Sequence, residues 1–490
     1  MSSPLSRIVP CLLLLAGCTL APRYQRPDAP VARDWPATPG ATAPAGGVAA
    51  ADVGWRDFFE DPRLQALVAL ALEENRDLRV AVERVELARA QYRIERAPLL
   101  PSVGGSASFT RQRVPADLSG TGQAVTSSQL SVGAGVSAYE LDLFGRVRSL
   151  ADAARAQYLA TGEARRAAQL AVVSEVAAQY LAERATDEQL ALARRTLEAV
   201  QATCELTRRA HDVGRRSELD LRAAEGQVET ARAAVASQAE QAARARNALV
   251  LLVGRSLPDD LPPPRPLSEQ RLLAELPAGV PSEVLTQRPD VLQAEQALVA
   301  ANASIGAARA AFFPSITLTA FGGTSSAQLS GLFSGGSGTW SFAPSLNLPI
   351  FTGGRNRANL DAARSQQRLE VAQYEKAIQV AFREVADGLA TRALAGEQVK
   401  AQSGAVGAER RRLELAELRY RQGLDSYLSV LTAQQDLYRT EQALIQAEQA
   451  RLTNLVQLYK ALGGGWRERT RAAEAPPAAA SAPDGGGARG

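Results

Sequence analysis

One arrangement of residues occurs twice in this chain, and any fold has to accommodate both copies. The segment 309–357 reads RAAFFPSITLTAFGG, then a Gly/Ser-rich middle, then TWSFAPSLNLPIFTGGRNR. A helical pattern stops at Pro314 and an alternating strand follows. A flexible turn reverses the chain, and a second alternating strand leads through Gly353-Gly354 into another helix. In the earlier copy, RAPLLPSV at 96–103 lies over RAAFFPSI at 309–316. Asp77, Ala81, Ala88, Ala90, Arg96, Ala97, Pro101 and Ser102 all find identical residues at one fixed offset, without a gap. ELDLFGRVR at 140–148 likewise answers NLPIFTGGRNR at 347–357 if two residues are inserted. The chain is an internal tandem repeat.

The hairpins make the repeat informative. Trp340, Phe342, Leu346, Leu348 and Ile350 fall on one face of the last strand, with mostly Ser, Ala or Asn on the other. Ile316, Leu318, Ala320 and Gly322 alternate in the same way with Thr317, Thr319 and Phe321. The first copy is weaker: Val103, Gly105, Ala107 and Phe109 going out, then Leu130, Val132, Ala134, Val136 and Ala138 coming back. A period of two with one apolar face fits a half-buried strand in a soluble arm. Strands of roughly 10 to 13 residues also fit a transmembrane barrel. Strands are expected at about 102–114 and 128–142, and again at about 315–325 and 339–350.

Outside the hairpins the chain reads as long helices. Of its 490 residues 46% are hydrophobic but only 5% aromatic, which suits closely packed Ala-rich helices better than a large globular core. From Arg146 to His211 there is no proline, and Gly162 is the only breaker. At 1.5 Å per residue that run makes a rod of about 100 Å. Leu170, Val173, Ala177 and Tyr180 mark a stripe near the coiled-coil period, as do Val371, Tyr374, Ile378, Ala381, Val385 and Leu389 in the second rod, Arg355 to Tyr420. Gly214 and Gly423 break the rods, and Ser217 and Ser426 are expected to cap the return helices. Residues 55–257 thus form a first repeat, 258–280 a proline-rich joint and 281–466 a second repeat. The Ala/Pro/Gly-rich tail 467–490 is expected to be disordered.

The first residues supply an address. Arg7, the apolar run Ile8–Leu15 and Leu15-Ala16-Gly17-Cys18 have the form of a bacterial export signal, 1–17, ending in a lipobox. Cys18 is then the lipidated N-terminus of an extended linker, 18–54; an ordinary secretory signal cleaved elsewhere is the alternative. Thr19, rather than Asp, favours the outer membrane. Cys11 lies within the signal, so Cys204 is alone in the mature chain and reads as a packing residue.

Several classes are disfavoured. A formal charge of +3 gives no footprint for nucleic acid. His211 is the only histidine, no cluster has metal-ligand spacing and no phosphate-cradling glycine motif opens a helix, so neither an enzyme nor a cofactor is expected. No apolar run reaches the roughly 18 residues of a spanning helix, so any membrane span must come from the strands. Four strands cannot close a barrel, and open edges are not tolerated in lipid, so protomers would have to share one.

With these features in place, the chain resembles TolC-type outer-membrane efflux channels, in the NodT-like lipoprotein branch that serves resistance-nodulation-division pumps. The resemblance is carried by the lipobox with APRYQRP, WRDFFEDPRLQALVALALEENRDLRVA, VPSEVLTQRPDVLQAE, AAFFPSITLTAFGG, LRYRQGLDSYLSVLTAQQDLY and LYKALGGGW. It implies a mainly α protein with transmembrane β: a homotrimer with a helical α-barrel and a 12-stranded β-barrel in outer-membrane lipid. It further implies a periplasmic adaptor docked at tips around Gly214, Ser217, Gly423 and Ser426, an inner-membrane pump, and passage of drugs or other small toxic compounds. The segment resembling the family's periplasmic constriction places Leu428, Thr432 and Gln435 on one helix face. Relatives often read Asp-Ala-Gln-Arg where this chain has Thr432-Ala433-Gln434-Gln435, which leaves Asp220 and Arg222 as candidates to supply charge nearby; they read equally well as solvated helix-surface residues. Two alternatives remain at this point: a channel for type I protein secretion, and a periplasmic coiled-coil tether, which leaves the hairpins unexplained.

Overall fold

The structure is a computed structural model that describes residues 19–36, 49–273 and 287–470. The export signal 1–17, Cys18, part of the linker and of the joint, and the tail 471–490 lie outside the described residues. The chain divides into two compact units. One contains Ala81–Ala164 and Asp290–Ala377 with the beginning of the chain, and the other contains Val31–Val80, Arg165–Pro289 and Ile378 onward.

The first unit is built on one antiparallel sheet of β1 (Val103–Val114), β2 (Val125–Leu141), β3 (Ser315–Ser326) and β4 (Gly338–Asn347), in that order. Its register sorts the side chains by chemistry. Val103, Val136, Ala320 and Phe342 lie in one row, and Gly105, Ala134, Gly322 and Trp340 in the next row of the same face. The opposite face carries rows such as Ser106, Gly133, Gly323 and Thr339. The apolar face has no partner among the described residues: Trp340 is 80% exposed and Leu346 65%.

Two details differ from the simple alternation. β2 contains a bulge between Val136 and Tyr139, where Ala138 takes a positive φ of 52° and donates its N–H to Thr319 Oγ1 at 3.2 Å. Beyond it Tyr139, rather than Ala138, takes the apolar row opposite Leu318. β4 ends at Asn347, short of the expected 350, because Pro349 has no N–H for a ladder; Ile350 and Phe351 are left about nine-tenths exposed.

Where the sheet meets the helices, charges are matched. Arg146, the first residue of helix α3 (Arg146–Asp212), grips Glu140 through two hydrogen bonds of 2.8 and 2.5 Å, and Arg148 meets Asp142 at 3.1 Å. Phe144 stacks on Phe313 at 4.7 Å. The segment from Thr19 lies along helix α5 (Pro289–Ala310), whose Glu295, Asn302 and Arg309 recur every seventh residue on one stripe. Arg26 pairs with Glu295 in two hydrogen bonds, and Tyr24 donates to the same carboxylate at 3.1 Å. Asn302 bonds the carbonyl of Pro22, and Arg309 that of Leu20.

The second unit holds the main apolar core, where α1 (Pro62–Glu74) packs with parts of α3, α4 (Glu218–Val253), α6 (Arg355–Arg421) and α7 (Tyr427–Ala461). Asp61 caps α1 by accepting the N–H of Arg63, with Pro62 set as its first residue. Its other carboxylate oxygen accepts the Tyr180 hydroxyl and the Gln270 amide, both at 2.7 Å. Phe58 stacks on Tyr459 at 4.0 Å, and the Tyr459 hydroxyl donates to the carbonyl of Val53. Arg288, in the QRPD motif, caps α7 from below by donating to the carbonyl of Ala461, and it also pairs with Glu384. The stripe Leu170, Val173, Ala177 and Tyr180 is buried here, and α3 passes Gly162 without a break.

The beginning of the tail is ordered, contrary to its composition. The N–H groups of Trp55 and Arg56 donate to the carbonyls of Arg467 and Glu468, Arg56 pairs with Glu468, and the Thr470 N–H donates to Asp57. Backbone pairing to a buried segment outweighs the disorder tendency of four polar residues.

Candidate functional site

Both rod turns lie in the second unit and share one geometry. Gly214 and Gly423 sit at φ 73° and 78°, the left-handed conformation that lets a helix end and the chain double back. Ser217 accepts the N–H of Asp220 at 3.2 Å, an N-cap at the start of α4. Ser426 holds the corresponding position before α7, but its hydroxyl makes no capping bond; its carbonyl accepts the N–H of Ser429 instead. The serine at this position is therefore not a working cap.

Behind the turns is a small core of Val200, Cys204, Ala224, Val228, Tyr420, Tyr427 and Val430. Cys204 is buried in it, as the helical spacing predicts. Tyr420 and Tyr427 approach to 5.6 Å, and Arg216 lies over the Tyr420 ring at 3.9 Å while donating to the Tyr420 carbonyl. Arg419 closes the second turn on Asp425 with bonds of 2.7 and 3.1 Å, which holds that carboxyl below its usual range. Sequence reasoning missed Arg216, Tyr420 and this ion pair. The only trace was their position within four residues of a turn glycine; Arg216 and Tyr420 come from different hairpins, whereas Arg419 and Asp425 face each other across the second turn.

The residues expected at the constriction fall as follows. Leu428 projects from the first turn of α7 and is 66% exposed. Thr432 returns its hydroxyl to the Leu428 carbonyl at 2.9 Å. Gln435 donates to Gln227 of α4 at 3.2 Å, beside a cavity of about 260 Å³ lined by Thr196, Thr230, Tyr438 and Gln442. Asp220 lies near the buried Tyr427 hydroxyl, which is pushed up to about 12, chiefly by burial. Arg222 turns along its own helix to Glu225 and Glu218, so its charge is already neutralised. Glu225, gripped by Arg222 and by Arg208 of α3, titrates below its usual range. The structure thus brings Leu428, Thr432, Gln435 and Asp220 to neighbouring turns of two adjacent helices, and leaves Arg222 among acids.

A sheet with one apolar face, joined to proline-free helices that turn back on glycine, is the construction of an outer-membrane channel protein. The chain belongs to the outer membrane efflux protein family, whose model matches residues 67–255 and again 280–464. It is an efflux channel of the bacterial outer membrane, a transport protein and not an enzyme. It is 48% identical over 471 residues to the antibiotic efflux pump outer membrane protein ArpC of Pseudomonas putida, covering 96% of this chain and 97% of the relative. It has the same identity and coverage to the toluene efflux pump outer membrane protein TtgC of Pseudomonas putida. Among solved structures it superimposes on the open state of the MtrE outer membrane channel of Neisseria gonorrhoeae with a TM-score of 0.84. That match has 44% identity over 93% of this chain and 100% of the other.

Proposed function

We propose that three copies of this chain assemble into one duct, each lending four strands to a 12-stranded barrel and its helical hairpins to a periplasmic tube. The observation that carries this is the sheet: one apolar face without a partner, and two edges, β1 and β4, that no strand of the described chain pairs. In lipid such edges must be closed, and a neighbouring copy offers the complementary edge. Exposed apolar residues on α2 (Arg76–Arg96), among them Val82, Leu87 and Ile94, give the same reading for the helices.

In this reading Cys18 carries the lipid after removal of 1–17 and begins the lipidated linker 18–54. The repeats 55–257 and 281–466 follow, joined through 258–280. The tips around Gly214, Ser217, Gly423 and Ser426 receive a periplasmic adaptor, which links the duct to an inner-membrane pump of the resistance-nodulation-division type. Leu428, Thr432 and Gln435 form the narrowest level, with Asp220 and Arg222 beside it. The cargo is drugs or other small toxic compounds, a class supported by relatives named for antibiotic and toluene efflux. Mass measurement in mild detergent tests the assembly. Threefold stoichiometry is expected, and a monodisperse monomer with full strand content would refute the shared barrel.

A further inference from the structure

The sheet is almost free of charge, and its few charges are unevenly placed. Across 103–139 and 315–347 the only charged residues are Arg111, Arg113 and Asp117. Arg111 pairs across the ladder with Ser128, and Arg113 with Thr126, so neither meets a carboxylate. Both share the face of Val103, Ala107 and Phe109, the apolar face, and lie just above its last aromatic side chain. Both are exposed, and neither guanidinium makes an ion pair or hydrogen bond with a described residue. The helix end of the sheet is the opposite case, since Arg146 and Arg148 are matched there by Glu140 and Asp142. The chain therefore neutralises its arginines at one end of the barrel wall and leaves two bare at the other.

We infer that Arg111 and Arg113 form a binding site for the phosphates of glycolipid headgroups in the outer leaflet. This rests on the proposed barrel, in which the apolar face meets lipid and the hairpin ends lie outside the cell. An outward arginine above an apolar band then sits at headgroup level. Two arginines on the same side of a strand, their Cα atoms about 7 Å apart, present guanidinium forks that suit phosphate oxygens, which they engage in bidentate pairs. The β3–β4 hairpin, which a neighbouring copy would bring beside β1, has no acid to compete for them.

The test compares the full-length parent with the double variant Arg111→Gln/Arg113→Gln in detergent. Native mass spectrometry counts retained lipid after incubation with diphosphorylated lipid A, with the same lipid dephosphorylated, and with phosphatidylethanolamine. The parent should retain the diphosphorylated lipid at least tenfold better than the variant, and the difference should vanish with the other two lipids. Equal retention by both proteins, or retention by the parent that ignores the phosphates, overturns the assignment. A cysteine at Gly120, where an added Cβ meets nothing, reports the side of the membrane by labelling in intact cells. Labelling is expected. If Gly120→Cys stays unlabelled the barrel orientation fails, and this site with it; labelling with equal lipid retention removes the site alone.

Discussion

Asp61 is the residue on which most of the second unit's polar order converges. It is 1% exposed, caps α1 and accepts from Tyr180 and Gln270. Asp61→Ala removes a cap worth about 1 kcal/mol. It also strands two buried donors at about 1 to 3 kcal/mol each. Chemical denaturation of the detergent-solubilised protein should therefore show a loss of about 3 kcal/mol or more, and Asp61→Asn a smaller one. Glu295 has a pH signature. The Arg26 guanidinium hydrogen-bonded to it, more than burial opposes, depresses its carboxyl below the ordinary 4.5. A depressed acid stabilises above its unfolded value and loses that stabilisation as pH falls through the folded one. Hydrogen exchange of residues 20–27 should therefore show protection at pH 7 that begins to weaken as pH falls below 4.5 and is lost as it passes the lower folded value, and Glu295→Gln should lack this dependence.

Among the elements, the two return helices separate what looks identical in sequence. Each begins with a serine three residues after a turn glycine, yet only Ser217 bonds the helix it precedes. Ser217→Ala should cost about 1 kcal/mol and Ser426→Ala a few tenths at most, read as hydrogen-exchange rates in the first turns of α4 and α7. Such differences explain how much of the molecule is legible beforehand. Helix runs follow from the absence of proline, the turns from Gly214 and Gly423, and the strand faces from period-two alternation around Trp340 and Phe342. The bulge at Ala138 was not legible, because Val136, Ala138 and Tyr139 suit either register by composition. The pairing of Gln435 with Gln227 and of Arg216 with Tyr420 was also hidden. Each joins residues some 200 positions apart, and a single chain's pattern does not encode which helix faces which.

For the whole molecule the decisive question is what closes the duct at rest. Leu428, Thr432 and Gln435 are uncharged, and Arg222 is neutralised by Glu218 and Glu225. In the proposed trimer a ring of such groups would close by packing and hydrogen bonding, with little mutual repulsion to titrate or to bridge with cations. Leu428→Gly should raise single-channel conductance in planar bilayers, while Ser429→Ala leaves it near the parent's. The parent's closure should vary little between pH 5 and 8 or with added divalent cations. Unchanged conductance in Leu428→Gly would move the proposed constriction to the level of Asp220 and Arg222.

The strip Arg467–Thr470 bound along Gly54–Asp57 sets a rule for the order of events in making the protein. A chain bound for the outer membrane crosses the inner one from its first residue, so Gly54 and Trp55 emerge long before their partners. The Trp55 amide waits for the Arg467 carbonyl and the Gly54 amide for the Thr470 hydroxyl, each more than 400 positions later, and the core around Phe58 and Tyr459 cannot close over half a chain. Unlike a protein whose early segments mature while later ones are still being delivered, this one has to be held unfolded in transit and then complete its core nearly all at once. A chain stopped at Trp466 would reach the periplasm whole in its helices and strands, yet lack the few residues that fasten its beginning.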